Sequence, residues 1–198
     1  MKGRSSILRI GIFGGTFDPP HIGHLIIAEQ ACQQLHLNRV LFVPAYLPPH
    51  KKHGTSATAQ HRYFMVKRAI EHSPRFEVTS LELRRRGVSY TIDTLKQLQR
   101  MYTNARFYLV VGGDNFSGFR TWKSVREILK LATIVVYKRK TPLGSRKKKY
   151  ASDVVYLDGA TLDVSSTIIR NRVHNGQSIR FLVPHAVEKY IYRHGLYR

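Results

Sequence analysis

The sequence predicts an α/β fold with a doubly wound, mostly parallel sheet and two helices at its C-terminal end. Short runs of β-branched and aromatic residues alternate with segments of helical apolar spacing along almost the whole chain. Such alternation favours parallel strands whose crossover helices cover both faces of the sheet. The 198 residues contain no evident repeat, and we expect them to form one domain, 1–198.

The individual elements follow from periodicity and from capping residues. Strands are expected at residues 7–13, 40–44, 76–83, 107–112, 134–137 and 154–157. Helices are expected at 21–37, 60–72, 91–102, 122–131 and 166–174, and from Pro184 to near Gly195. In the third helix, for example, Ile92, Leu95 and Leu98 share one face. Proline suits the first turn of a helix and glycine suits the position after its end, which supports the last one.

The chain carries a large positive charge. Its 33 Lys and Arg residues oppose 12 Asp and Glu residues, which gives a formal net charge of +21. Such a charge attracts nucleotides, nucleic acids or acidic membranes without distinguishing among them, and a generally basic surface would look the same. The single cysteine, Cys32, lies in an apolar helical pattern, which predicts a buried thiol and fits a reducing cytoplasm. No apolar run approaches the roughly 20 residues of a membrane-spanning helix, so no membrane contact is expected.

One segment is exceptionally basic. Residues 138–149 hold seven Lys and Arg residues among twelve, together with Pro142 and Gly144. A solvated loop is the ordinary interpretation of such a run. An electrostatic arm for phosphates or RNA is the functional alternative, and both stay open.

The strongest functional signal lies where the first predicted strand passes into the first helix. Residues 11–25 read GIFGGTFDPPHIGHL. Ligands of open α/β sheets bind outside the carboxyl ends of the strands, which is where this turn is predicted to lie. Gly14 and Gly15 are expected to adopt backbone conformations closed to other residues and to let an anion approach main-chain N–H groups. Pro19 and Pro20 stiffen the entry into the helix.

Two histidines follow at the start of the predicted helix. His21 and His24 are three residues apart, so their rings are expected on one face, at a helix end that already attracts anions. Gly23 is expected to leave room for a ligand. This arrangement suits phosphate transfer. A zinc site is disfavoured because Asp18 is the motif's only carboxylate and the motif has no cysteine, and two unrelated histidines are disfavoured by the strand–glycine–proline–helix context.

The motif GGTFDPPHIGH resembles the signature of the HxGH nucleotidyltransferases, in the version found in bacterial nicotinate-nucleotide adenylyltransferases. Later segments resemble the same family in order: PPHK at 48–51, YTIDT at 90–94, GGD at 112–114 followed by Trp122, and DVSSTIIR at 163–170. The resemblance implies a Rossmann-like nucleotidyltransferase fold. It also implies transfer of the adenylyl group of ATP to nicotinate mononucleotide, giving deamido-NAD and pyrophosphate in NAD biosynthesis, in the cytoplasm and with Mg²⁺ carried by ATP.

The resemblance assigns roles to individual residues. For ATP it implies Gly14, Gly15, His21, Gly23, His24, Lys51, Asp114, Ser165, Ser166, Thr167 and Arg170, with His21, His24 and Arg170 as the catalytic set. For nicotinate mononucleotide it implies Thr16, Phe17, Tyr90, Thr91, Trp122 and Arg139. No protein metal ligand is implied. The chain departs from the family pattern in the basic insertion at 145–149 and at 137–140, where the family often has an arginine followed by a proline.

Plainer interpretations remain for several of these residues. Trp122 could be a core residue, Asp114 and the Ser165–Thr167 run could be helix caps, and Lys51 and Arg139 could be solvated loop cations. Two other functions also remain. One is adenylyl transfer to nicotinamide mononucleotide or phosphopantetheine, and the other is RNA binding by a degenerate nucleotide fold.

Overall fold

The computed structural model describes residues 7–49, 54–137, 154–160 and 162–198. The strands in these ranges are β1 (Leu8–Gly15), β2 (Arg39–Pro44), β3 (Phe76–Val78), β4 (Ala105–Gly112), β5 (Ala132–Tyr137) and β6 (Val154–Leu157). The α-helices are α1 (Ile22–Gln34), α2 (Ala59–Ala69), α3 (Leu81–Arg85), α4 (Thr91–Met101), α5 (Gly113–Ser117), α6 (Val125–Leu131), α7 (Ser166–His174) and α8 (His185–Arg193). A 3₁₀ turn, Phe119–Thr121, precedes α6.

The described strands form one sheet in the order β3-β2-β1-β4-β5-β6, and each neighbouring pair is parallel. The predicted fold class is therefore confirmed. The strand order reverses between β1 and β4, so the connections leaving these two strands run in opposite directions. A crevice opens at their carboxyl ends, which is where sheets of this type bind ligands.

Alternate residues of the central strands supply two cores, one on each face of the sheet. Ile12 and Leu109 pack with α4 and α6 on one face, whereas Phe13 and Val110 pack with α1 on the other. Cys32 of α1 is fully buried, as predicted, and burial raises the pKa of its thiol, so it is a packing residue. A further cluster joins α2, α7 and α8 through buried apolar side chains beside the sheet. Within the described ranges, no helix has the length and apolar character to cross a bilayer.

Two predicted elements were wrong in ways that affect the site. Residues 76–83 do not form one strand: β3 ends at Val78 and α3 starts at Leu81. The apolar residues fit either period, and burial of Leu81 against the sheet favours the helix. The helix predicted at 122–131 begins only at Val125, because Ser124 has a left-handed backbone with φ of 56°. Trp122 is consequently extended, outside the helix.

Candidate active site

A cavity of about 590 Å³ occupies the crevice at the carboxyl ends of β1 and β4. The structure brings many of the predicted residues to its wall. From the end of β1, from the segment 16–21 that follows it (the β1 turn), from α1 and from α4, these are Gly14, Gly15, Thr16, Phe17, His21, His24 and Thr91. From later segments they are Trp122, Ser165, Ser166 and Thr167. Segments that are up to about 150 residues apart in the sequence therefore meet at the switch point of the sheet.

The two imidazoles of the motif are stacked at the start of α1. Their ring centroids are 3.7 Å apart, with an angle of 30° between the ring planes. His21 is buried, and His24 is partly buried. Nδ1 of His24 accepts a hydrogen bond from the main-chain N–H of His21 at 3.1 Å. A neutral ring that accepts at Nδ1 carries its proton on Nε2, so His24 presents a donor from its other nitrogen.

Gly14 and Gly15 have different roles, and neither needs an unusual backbone conformation. Gly14 and Gly15 continue β1, and neither has a positive φ, so the expectation of a backbone closed to other residues was wrong. A Cβ on Gly15 would lie 2.8 Å from Cζ of Phe17, whereas a Cβ on Gly14 would meet no atom within 4 Å. Since Gly14 lines the cavity, the missing side chain leaves space there for a ligand to approach the strand.

Gly23 was predicted to leave room for a ligand, but the space beside it is taken by an imidazole. Gly23 is buried, and a Cβ on it would lie 3.1 Å from Nδ1 of His21. Such a contact is tighter than nine in ten real Cβ contacts. The glycine between the two histidines therefore allows the His21 ring to lie flat against the helix.

The β1 turn is shaped by Phe17. Its backbone is left-handed, with φ of 51°, a conformation that costs energy in a non-glycine residue. Its ring is buried under Gly15 and lies 5.0 Å from the His24 ring and 5.7 Å from Phe42, measured between centroids. This packing holds the turn in its strained form, so the main chain of Thr16 and Phe17 stays at the cavity wall.

A smaller cavity of about 280 Å³ adjoins the first and shares several lining residues with it. Trp122 lines both, while its ring packs on Phe119 at a centroid distance of 5.2 Å. Trp122 is therefore both a partly buried core contact and part of the wall of both cavities. Tyr90 lines the smaller cavity, and Nζ of Lys123 lies 4.5 Å from the centre of its ring.

The start of α7 also contributes to the cavity wall. The Ser165 hydroxyl accepts from the Ile168 N–H at 3.2 Å, so this serine does cap the helix, and the Ser166 hydroxyl donates to the Pro19 carbonyl at 2.8 Å. Arg170 is not at the cavity wall in the part of the chain that the structure describes. Its Nη1 donates to the Asp18 carbonyl at 2.8 Å and its Nη2 to the Thr167 hydroxyl at 3.2 Å, which joins α7 to the β1 turn.

Some predicted positions are not at the cavity or are outside the described residues. Asp114 is exposed in the first turn of α5, and its neighbour Asn115 lines both cavities instead. Lys51 and Arg139 lie outside the described residues, as does the basic segment 138–149.

Sequence reasoning missed the buried polar side chains around the cavity. Asp18 is 1% exposed, Arg62 0% and Glu82 6%. Glu82 lines the cavity and accepts a hydrogen bond from the Thr94 hydroxyl, and burial raises the pKa of its carboxyl group. Arg62 carried a detectable signal, because it shares a helix face with Met65 and Val66, at positions where an apolar residue is expected.

Comparisons with known proteins show which sequences this chain is similar to. A family model described as cytidylyltransferase-like matches residues 12–172. The probable nicotinate-nucleotide adenylyltransferase of Halalkalibacterium halodurans is 42% identical over 191 residues, which cover 96% of this chain and 91% of that protein. That of Salinibacter ruber is 40% identical over 192 residues, covering 96% and 98%.

Solved structures share the fold. A putative nicotinate-nucleotide adenylyltransferase from Vibrio parahaemolyticus superposes with a TM-score of 0.71 at 24% identity, over 96% of each chain. The nicotinic acid mononucleotide adenylyltransferase of Plasmodium falciparum, solved in complex with NaAD, has a TM-score of 0.81 at 19% identity, over 96% of this chain and 97% of that one. At these identities the likeness concerns the fold alone.

Proposed function

The chain belongs to the nicotinate-nucleotide adenylyltransferases, and from this premise we propose that its cavity joins the AMP moiety of ATP to nicotinate mononucleotide, releasing pyrophosphate. The observation that carries the proposal is the stacked imidazole pair at the amino end of α1, beside a strand end that has no side chain at Gly14. The helix dipole and an imidazole donor there favour phosphate groups.

The reaction is a direct in-line displacement at phosphorus. A phosphate oxygen of nicotinate mononucleotide attacks the α-phosphorus of ATP, a new P–O bond forms, and the bond to the β-phosphate oxygen breaks. The nucleophile is already an anion, so no general base is required. The protein must instead align two anions and stabilise the charge that moves to pyrophosphate, which is a task for positioning and preorganised donors.

The two adjoining cavities suggest where each substrate lies. We assign the larger one to the phosphates and the adenosine of ATP, and the smaller one to the pyridine ring, against Trp122. The Tyr90 N–H donates to the Val88 carbonyl at 3.1 Å, so it is already engaged. The nicotinate carboxylate would therefore meet the main-chain N–H at the start of α4, at Thr91. An N–H group in the first turn of a helix has no carbonyl partner within the helix.

Mg²⁺ would be held mainly by the phosphates of ATP. The described residues contain no cluster of three metal-ligating side chains, and Glu82 is the only carboxylate among the described residues of the cavity wall. That donor set fits a cation that arrives with its own phosphate ligands and keeps several waters. The ion would partly neutralise the phosphate charge.

The reducing cytoplasm is the compartment we propose for this reaction, since the chain has a single cysteine.

Substitutions at Gly14 and Gly15 should show which glycine leaves space for the ligand and which leaves space for a neighbouring side chain of the protein. Gly15→Ala should lower the free energy of unfolding by about 1–3 kcal/mol, because its Cβ would collide with the Phe17 ring. Gly14→Ala should leave the stability nearly unchanged and raise the KM for ATP on the order of tenfold, equivalent to about 1.4 kcal/mol of lost binding. Urea unfolding and initial rates measure the two effects. Equal stability loss in both variants, or an unchanged KM in Gly14→Ala, would contradict this interpretation of the cavity.

The proposed function is tested by an acceptor panel. Pyrophosphate release from ATP is measured with nicotinate mononucleotide, nicotinamide mononucleotide and phosphopantetheine at matched concentrations. We expect kcat/KM to be highest for nicotinate mononucleotide. A preference for either of the other acceptors would replace the assignment with the corresponding transferase.

RNA binding is a second property that the charge favours. The segment 138–149 that suggested it is outside the described residues, but Arg68, Lys189 and Arg193 line a groove of about 420 Å³ between α2 and α8. Binding driven by phosphate neutralisation weakens steeply with salt. RNA affinity at two salt concentrations, measured together with adenylyl-transfer turnover, distinguishes an enzyme from an RNA-binding protein. Tight, sequence-selective RNA binding without turnover would favour the RNA-binding alternative.

A further inference from the structure

A buried carboxylate lies directly beneath the β1 turn. Asp18 is 1% exposed, and its two carboxylate oxygens accept three hydrogen bonds. Oδ2 accepts from the Ser56 N–H at 2.8 Å, and Oδ1 accepts from the Ala57 N–H at 3.1 Å. Oδ1 also accepts from the Tyr197 hydroxyl at 2.7 Å. A buried carboxylate needs such donors, so Asp18 ties the turn to the segment before α2 and to the residues beyond α8.

A buried cation completes this cluster. The guanidinium of Arg62 is fully buried and donates to main-chain carbonyls from separate segments. Nη1 reaches the Thr16 carbonyl at 2.7 Å, Nη2 the Tyr46 carbonyl at 3.1 Å and Nε the Ala57 carbonyl at 3.2 Å. Burial lowers the pKa of Arg62, and the negative charge of Asp18 acts in the opposite direction. The cation therefore fixes Thr16, which lies at the wall of both cavities.

Tyr197 is the most distant member of the cluster in sequence, 179 residues from Asp18. Its backbone is left-handed, with φ of 67°, which a residue with a side chain adopts only when its surroundings hold it there. Its hydroxyl also lies 3.9 Å from the sulfur of Met65 in α2. Burial and the Asp18 carboxylate both raise the pKa of Tyr197, so the phenol stays protonated and remains a donor.

We propose that Tyr197 is a positioning residue for adenylyl transfer, acting through Asp18 and Arg62 on the main chain of Thr16 and on the turn that leads to His21. The proposal rests on the proposed function, since it concerns the same cavity. Tyr197 does not itself line either of the two cavities in the described part of the chain. It acts by holding Asp18, whose main chain connects Phe17 to the prolines before α1.

The first test removes only the hydroxyl. Tyr197→Phe keeps the ring and takes one donor from a buried carboxylate, and a displaced turn should lower kcat by roughly tenfold, within the range known for small misplacements of reacting groups. Tyr192→Phe is the matched control, because Tyr192 lies on α8 and is 40% exposed. It should retain wild-type kcat. Rates are measured well below the thermal transition of each variant, so that a purely structural role of Tyr197 would leave kcat unchanged. A kcat within twofold of wild type overturns the proposal.

The second test measures the hydrogen bonds of the cluster in the absence of substrate. Amide hydrogen exchange of Ser56 and Ala57, which donate to Asp18, should accelerate in Tyr197→Phe, whereas amides of β4 should not. This readout does not depend on the acceptor, so it distinguishes failure of this proposal from failure of the proposed function. Unchanged exchange at Ser56 and Ala57, or equal acceleration throughout the sheet, overturns the route through Asp18. Asp18→Asn combined with Tyr197→Phe should lower kcat no further than Asp18→Asn alone, since coupled residues are not additive.

Discussion

Replacement of His24 by alanine is expected to leave the fold intact and to lower kcat by roughly 100-fold or more, the scale of losing one preorganised donor to a transition state. The physical reason is the donor on Nε2, which exists because Nδ1 already accepts from the His21 N–H. Initial rates with saturating ATP and nicotinate mononucleotide, together with circular dichroism, measure both parts of the prediction.

Two further variants separate catalysis from helix capping at this position. Asparagine places an acceptor near the position of Nδ1 and lacks the distal donor, so His24→Asn should be as stable as wild type and as inactive as the alanine variant. Glutamine carries a distal N–H donor, and at this position of a helix its side-chain oxygen can also accept from the N–H of the capping residue, so His24→Gln should be as stable as wild type and more active than His24→Asn. If all three variants retain activity within a few-fold of wild type, His24 is a structural residue only.

Replacement of Trp122 by alanine is expected to raise the KM for nicotinate mononucleotide by roughly 10- to 100-fold, the usual cost of removing an aromatic surface from a stacked base. The KM for ATP should change by much less. The indole lies outside α6 because Ser124 interrupts the helix, and it lines both cavities while resting on Phe119. Steady-state kinetics with each substrate varied in turn provide the measurement.

The matched control for this prediction is Trp122→Phe. A phenyl ring keeps an aromatic face toward the smaller cavity, so the KM for nicotinate mononucleotide should lie between those of wild type and Trp122→Ala. Its packing against Phe119 is also largely retained. Unfolding of the alanine variant at ordinary temperature, or an equal loss of affinity for both substrates, would mean that Trp122 serves the core and not the acceptor.

Features encoded by neighbouring residues could be predicted from the sequence. Helix α7 was placed correctly at 166–174, because Ser165 is a capping residue and Gly176 follows the end. The three-residue spacing of His21 and His24 at the start of α1 predicted rings on one face, and the structure places them together. The placement of the motif at the carboxyl end of a strand in a parallel sheet followed from the alternation of strands and helices.

Features that depend on distant contacts could not be predicted. The role of Asp18 arises from partners 38 to 179 residues away in the chain, and Arg62 reaches partners up to 46 residues away. No local pattern records such partners. The role of Gly23 could not be predicted either. Whether Gly23 serves a ligand or an imidazole depends on where the His21 ring lies, and the spacing of the motif is identical in both cases.

The floor of the cavity belongs to the sheet itself. Gly14 and Gly15 are paired with Val43 and Pro44, and the Gly15 carbonyl accepts from the Ala45 N–H at 2.9 Å, so the ladder continues to the point where phosphates would bind. Main chain held in this way has little conformational freedom to lose on complex formation. The entropic penalty of capture therefore falls mainly on the nucleotides, which is the condition under which a rigid receptor discriminates between substrates by shape.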